Sequence, residues 1–202
     1  MTPAGLALWP GAGSSAEHPT LLALEAALAP LPVARFDFPY RREGRKAPDR
    51  ANKLIASLRA DVAAWCDELG TTPDRLVLGG RSMGGRMASM AIAGATGNTA
   101  RGSEPWEEPL PAAGLVLISY PLHPPGRPER LRTEHLDRIR VPVLSIAGDR
   151  DPFGTPDELA AALAAVPATV TCVTVPGARH ELGDADEVVV EAVRSFLDGL
   201  RG

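Results

Sequence analysis

Five residues near the middle of the chain, Gly80-Arg81-Ser82-Met83-Gly84, carry the sharpest chemical signal. They follow the apolar run Leu76-Val77-Leu78 and open the helical stretch Arg86-Met87-Ala88-Ser89-Met90-Ala91. A serine used as a nucleophile must stand on a tight strand-to-helix turn, clear of the backbone and open to substrate. Small residues are needed two before and two after it, because larger side chains would collide with the neighbouring strand or helix. A helix that starts at this serine also aims free N–H groups and the positive end of its dipole at charge developing on a substrate oxygen. Gly79, Gly85 and Ala88 extend the small surface. The bland alternative is a glycine-rich turn that happens to contain serine.

A serine hydroxyl is a poor nucleophile until a base takes its proton, and that base needs an orienting carboxylate. Ala147-Gly148-Asp149-Arg150-Asp151-Pro152 closes one apolar run, and Gly177-Ala178-Arg179-His180 follows the next. Both belong at the sheet edge that carries Ser82, in the chain order Ser, Asp, His. Asp149 and Asp151 compete for the acid; Pro152 keeps Asp151 out of helical conformation, which suits a residue held in the turn. His180, on the last strand-to-helix connection, is the candidate base. His123 and His135 precede the acid in the chain, and His135, on the charged segment 129–140, reads as structural or surface. Tyr120 and His123 leave a strand's C-terminal end, so they are candidates for lining a substrate pocket.

These stretches, together with PGAG at 10–13, DFPYRREGR at 37–45, SYPLHPPGRPERLR at 119–132, GDRDPFGT at 148–155 and GARHEL at 177–182, resemble a small α/β-hydrolase of the dienelactone-hydrolase-like type, in the KANL/Tex-like branch. The similarity runs over nearly the whole chain. The resemblance implies a serine-hydrolase fold with Ser82 as nucleophile, His180 as base and Asp151, fourth in a Gly-x-x-Asp run, as acid. Asp149 would then be a solvated or loop-capping carboxylate. The backbone N–H groups of Met83 and Ala12 are the expected oxyanion hole, each donor worth about 2.7–4 kcal/mol of transition-state stabilisation. The family often has His-Gly where this chain has Pro10-Gly11; proline donates no N–H, but position 10 is not the proposed donor. A binding or scaffold protein on the same fold is the competing class.

The first loop offers a rival motif. Gly11-Ala12-Gly13-Ser14-Ser15-Ala16 fits G-x-G-x-x-A between a strand and a helix, and Asp37 ends the next strand, as in a dinucleotide fingerprint. His18-Pro19 delays that helix, which weakens a pyrophosphate seat, and an NAD(P)-binding oxidoreductase would leave Ser82, Asp151 and His180 without a role. The expected chemistry is therefore hydrolysis of a small-molecule carboxylic ester or thioester, with no metal or organic cofactor implied. Arg41, Arg42, Arg45, Lys46, Arg50 and Lys53 form a basic cluster that ordinarily would be a solvated face; Arg41 and Arg45 are its candidates for receiving an anionic part of the substrate.

The elements that must position these groups are legible as short apolar runs at 5–9, 33–38, 75–79, 114–119, 141–147 and 169–175, alternating with helical patterns. This predicts a minimal α/β-hydrolase fold: a mainly parallel six-stranded sheet, helices on both faces, no cap domain, all in one domain of 202 residues. Residues 49–69 set Leu54, Leu58, Val62, Trp65 and Leu69 on one helical face, with Gly70 as the stop. Thr155-Pro156-Asp157-Glu158 predicts a capped helix start, and Asp184 with Glu187 predicts another before a last helix that turns Val189, Val193, Phe196 and Leu200 inward. Residues 94–113, rich in Gly, Pro and acids around Trp106, read as a surface loop, or else as a flap near the pocket. The absence of an obvious lid suggests an open site and small or flexible acyl groups.

Composition excludes several classes. A net charge of −4 and no aromatic interleaving argue against nucleic-acid binding. Cys66 and Cys172 lie far apart without metal-ligand spacing. No apolar run of about 18 residues predicts a membrane span, and residues 1–5 lack the basic start of a secretory signal, so the expected compartment is the cytoplasm.

Overall fold

The computed structural model describes residues 2–98 and 104–201. Six strands, β1 (Gly5–Trp9), β2 (Val33–Arg35), β3 (Leu76–Arg81), β4 (Gly114–Ile118), β5 (Val143–Gly148) and β6 (Val170–Val175), form one sheet in the order β2-β1-β3-β4-β5-β6. Every pairing is parallel, as the alternating pattern predicts. The connections carry α1 (Pro19–Leu28), α2 (Pro39–Arg42), α3 (Ala51–Leu69), α4 (Met83–Ala93), α5 (Pro156–Leu163) and α6 (Asp186–Gly199).

Period-two alternation divides the core into two layers. Leu6, Leu8, Val77, Val116, Ile118, Leu144 and Ile146 face α1 and α6, where Leu21, Leu24, Val189, Val193 and Leu197 close the layer. Ala7, Trp9, Leu76, Leu78, Leu115, Leu117 and Val143 face the other way, onto α3, α4 and α5. Both faces of the four central strands are therefore dry, whereas edge strand β6 leaves Thr171, Cys172 and Thr174 exposed, and all strand C-termini end at one edge of the sheet. That shared edge is what brings distant loops together.

Three local expectations need revision. β2 stops at Arg35 rather than 38, because Phe38 caps α2 and Pro39 takes its first position. The capping box at α5 forms, with Thr155 Oγ1 accepting from Glu158 N–H and Glu158 Oε2 accepting from Thr155 N–H at 2.8 Å. Its counterpart at Asp184 and Glu187 does not. Ala185 is the N-cap and makes no side-chain bond, while Asp186 accepts a 2.6 Å hydrogen bond from the Thr20 hydroxyl and ties α6 to α1. On α6, Leu197 is buried with Val189 and Val193, whereas Phe196 and Leu200 are only half-buried.

The 94–113 segment leaves the far end of α4, at the edge opposite the β3 C-terminus. Its described flanks are pinned there: Ala95 bridges Trp106, Glu107 N–H donates to Gly94 O at 2.7 Å, and the Arg138 guanidinium lies 4.0 Å over the Trp106 ring. None of this is a flap over the strand C-termini; residues 99–103 of that segment lie outside the described residues. Between β4 and β5, residues 119–142 carry only the 3₁₀ turn Leu136–Arg138, so no cap domain is inserted there. No helix among the described residues is long and apolar enough to cross a membrane.

Candidate active site

β3 runs directly into Ser82, which holds φ 49° and ψ −112° as the N-cap of α4. A residue with a Cβ avoids such angles unless its surroundings impose them. Here the Ser82 N–H is held by Ile118 O at 2.7 Å. The flanking glycines leave no room for anything else: a Cβ on Gly84 would enter the Trp9 carbonyl oxygen, and one on Gly79 that of Val116. Close approach of α4 to β1 and β3 thus forces the sharp turn, and the serine side chain stays half-exposed above it.

The last strand-to-helix connection brings His180 over this turn. Its Nε2 lies 2.8 Å from Ser82 Oγ, and its Nδ1 lies 2.8 Å from Asp151 Oδ2. The tautomer that satisfies both contacts donates from Nδ1–H to the carboxylate and leaves Nε2 to accept the serine proton. The Asp151 side chain is fully buried, and its Oδ1 accepts the Phe153 N–H at 2.8 Å. Asp149, the rival acid, is exposed and outside the trio. The Phe153 ring lies against the imidazole with centroids 4.2 Å apart.

A cleft of about 440 Å³ opens over these groups. Gly11 and Ala12 of the β1–α1 loop line it opposite Ser82 and Met83. Among the described residues, neither the Met83 nor the Ala12 N–H has a hydrogen-bond acceptor. Arg81, buried, donates to His180 O at 2.8 Å and pairs with Glu181 at 2.7 Å, fastening the histidine loop to the end of β3. A larger groove of about 770 Å³ lies between β6 and α6, but it is lined mainly by apolar and hydroxyl side chains and contains none of these groups. Among the described residues no cluster of three or more His, Cys, Asp or Glu could hold a metal ion.

The other sequence candidates do not line the cleft. Tyr120 is fully buried, its hydroxyl donates to Arg132 O at 2.7 Å, and burial pushes its pKa up to about 12. His123 is buried with Nδ1 2.9 Å from Pro124 O, and its backbone N–H donates to Phe153 O, so this loop braces the acid loop instead. Arg45 pairs with Glu43 and Asp49 on the exposed surface, and Arg41 is also absent from the cleft wall. Asp37, the ribose-binding candidate of the dinucleotide motif, accepts the Ala16 N–H at 2.8 Å, and α1 does not start until Pro19. His135 is buried, as a structural histidine should be, with Nε2 2.8 Å from Ser89 Oγ.

Sequence reasoning missed Arg86, Arg132 and Phe153 as walls of this cleft. Arg86 had a signal, since it lies one helical turn beyond the serine. Arg132 and Phe153 had none, because they reach the cleft only through the path of long loops.

A family described as an alpha/beta hydrolase domain matches residues 4–191. The chain belongs to that family. As a member of it, the chain resembles solved structures of several hydrolases. Dienelactone hydrolase from Anabaena variabilis is 19% identical, with a TM-score of 0.72 over 98% of this chain and 87% of that one. Est1E from Butyrivibrio proteoclasticus is 19% identical, with a TM-score of 0.69 over 99% and 89%. A monoacylglycerol lipase from Paleococcus ferrophilus is 16% identical, with a TM-score of 0.70 over 98% and 96%. At these identities the likeness is one of fold, and it agrees with the α/β-hydrolase architecture read from the sequence.

Proposed function

We propose that this alpha/beta hydrolase cleaves a small-molecule carboxylic ester or thioester through an acyl-enzyme. The observation that carries this reading is the single imidazole of His180, 2.8 Å from Ser82 Oγ on one side and 2.8 Å from Asp151 Oδ2 on the other. In the first half-reaction Ser82 Oγ attacks the carbonyl carbon while His180 Nε2 takes its proton, and the buried Asp151 carboxylate balances the imidazolium. The Met83 and Ala12 N–H groups receive the carbonyl oxygen as it becomes an oxyanion, with the dipole of α4 behind Met83. His180 then returns the proton to the departing alcohol or thiol. Water repeats the sequence on the acyl-serine and releases the acid.

No metal or organic cofactor enters these steps. The dinucleotide alternative loses its support because Asp37 is engaged by the loop backbone. Labelling by a fluorophosphonate probe tests the reading, paired with turnover of esters and thioesters of graded acyl length. Wild-type protein should label and turn over at least one of them. Ser82→Ala should lose labelling and about a million-fold in kcat, on the scale of triad knockouts in serine proteases. Wild-type protein that neither labels nor turns over any ester would instead be a binding protein on this fold.

A further inference from the structure

The charges in the cleft do not balance. Arg81, Arg86 and Arg132 line it, and Glu181 is the only carboxylate among its wall residues. Glu181 is engaged by Arg81. The guanidinium of Arg86 has no hydrogen-bond or ion-pair partner among the described residues, and its Nε is buried from solvent. The Arg132 guanidinium donates one bond, to Pro121 O at 3.1 Å, and pairs with no carboxylate among the described residues. Both arginines are held in place by backbone: Arg86 N–H donates to Ser82 O at 3.1 Å, and Arg132 N–H to Leu122 O at 2.9 Å. The two guanidinium groups feel each other. Burial first and the positive charge of Arg86 second hold the Arg132 pKa below its ordinary value, and exposed Glu134 is the weakest influence on it.

The buried titratable neighbours supply no counter-charge. Tyr120 and His135 are buried beside Arg86, but burial keeps the phenol protonated and the imidazole neutral at ordinary pH. A guanidinium without an acceptor is costly where water is scarce, and its planar fork matches the paired oxygens of a carboxylate or phosphate. Two such forks beside a nucleophile therefore describe half of a recognition site. Their missing half is an anion.

We propose that the substrate carries a second, negatively charged group, a carboxylate or a phosphate, and that Arg86 and Arg132 receive it while the scissile carbonyl lies over Ser82. This site takes the place of the Arg41 and Arg45 cluster as the anion receiver. Its position relative to the scissile bond rests on the hydrolase reading above. Arg86 follows Ser82 by one helical turn, so the anion belongs within a few bonds of the carbonyl.

Matched ester pairs test it: monomethyl succinate against methyl butyrate, and acetyl glycerol phosphate against acetyl glycerol, with hydrolysis followed by proton release. The ratio of kcat/KM, charged over neutral, should favour at least one charged ester tenfold or more, and the favoured pair names the anion. Arg86→Gln and Arg132→Gln should each lower that ratio at least tenfold; a purely structural lesion would slow both esters alike and leave it unchanged. Arg45→Gln should not move it. Calorimetric titration of folded Ser82→Ala protein with succinate and with inorganic phosphate gives a readout free of turnover. At least one should bind, and adding Arg86→Gln should weaken it tenfold or more. No preference in either pair, or anion binding indifferent to both arginines, overturns the proposal. Arginine-dependent binding without turnover of any ester would instead overturn the hydrolase reading and leave the anion site standing.

Discussion

Ser82 is held in a conformation that its side chain disfavours, at φ 49°, and residues in such regions cost on the order of 1–3 kcal/mol each. The cost is sustained by backbone packing around the turn, which makes the glycines as consequential as the proposed nucleophile. Gly84→Ala would press a methyl group into the Trp9 carbonyl oxygen. We expect destabilisation of about 1–3 kcal/mol, seen as a lower thermal midpoint, together with a loss of ester turnover as α4 shifts away from β1. Asp151→Asn tests a different residue in the same machinery. It keeps an acceptor for Phe153 N–H but removes the anion beside His180 Nδ1, so kcat should fall about 10⁴-fold with the fold intact by circular dichroism. The same change at exposed Asp149 should leave kcat within a factor of two or so, as surface substitutions generally do.

At the scale of elements, the α5 capping box sits four residues beyond the acid, where Thr155 and Glu158 satisfy each other's backbone N–H groups. Thr155→Ala should cost about 0.5–2 kcal/mol in urea denaturation. Elements were readable where a local rule decides them. β1 is found at 5–9 because its apolar run is uninterrupted, and Gly70 stops α3 in the left-handed conformation. Asp184 shows the limit of the same logic: it has the right residue type and spacing, yet tertiary contacts assign the start of α6 to Ala185 and give Asp186 to Thr20. The candidate triad was legible because three strand-end loops share one edge. Its anion-binding wall was not. The 41–53 run carries its own Glu43 and Asp49, which neutralise it locally, whereas Arg86 and Arg132 meet only after the β4–β5 connection folds back over α4.

At the scale of the whole molecule, His135 is a pH-dependent liability away from the cleft mouth. His135 is buried against Ser89, and burial, followed by the charge of Arg86, pushes its pKa down from 6.5 to about 3. The unfolded chain therefore takes up this proton at a higher pH than the folded one. Stability linked to His135 is complete above about pH 6.5 and is lost as pH falls toward 3, at about 1.4 kcal/mol per pH unit. Urea midpoints between pH 4 and 7 should show that slope, and His135→Gln, which keeps a partner for Ser89, should flatten it. A variant with an unchanged acid slope would show that His135 is not its source.

The uncovered connection between β4 and β5 has a consequence for where an acyl group goes after it is taken up. In the acyl-enzyme mechanism proposed above, with no cap domain over Ser82 among the described residues, the second half-reaction is not reserved for water. Methanol or hydroxylamine should therefore intercept the acyl group, giving methyl ester or hydroxamate at the expense of free acid. In such a mixture the first leaving group would still be released, and the product ratio would follow nucleophile concentration. If the acyl-enzyme proposed above forms, the cleft would also transfer acyl groups, to whichever small nucleophile its surroundings supply.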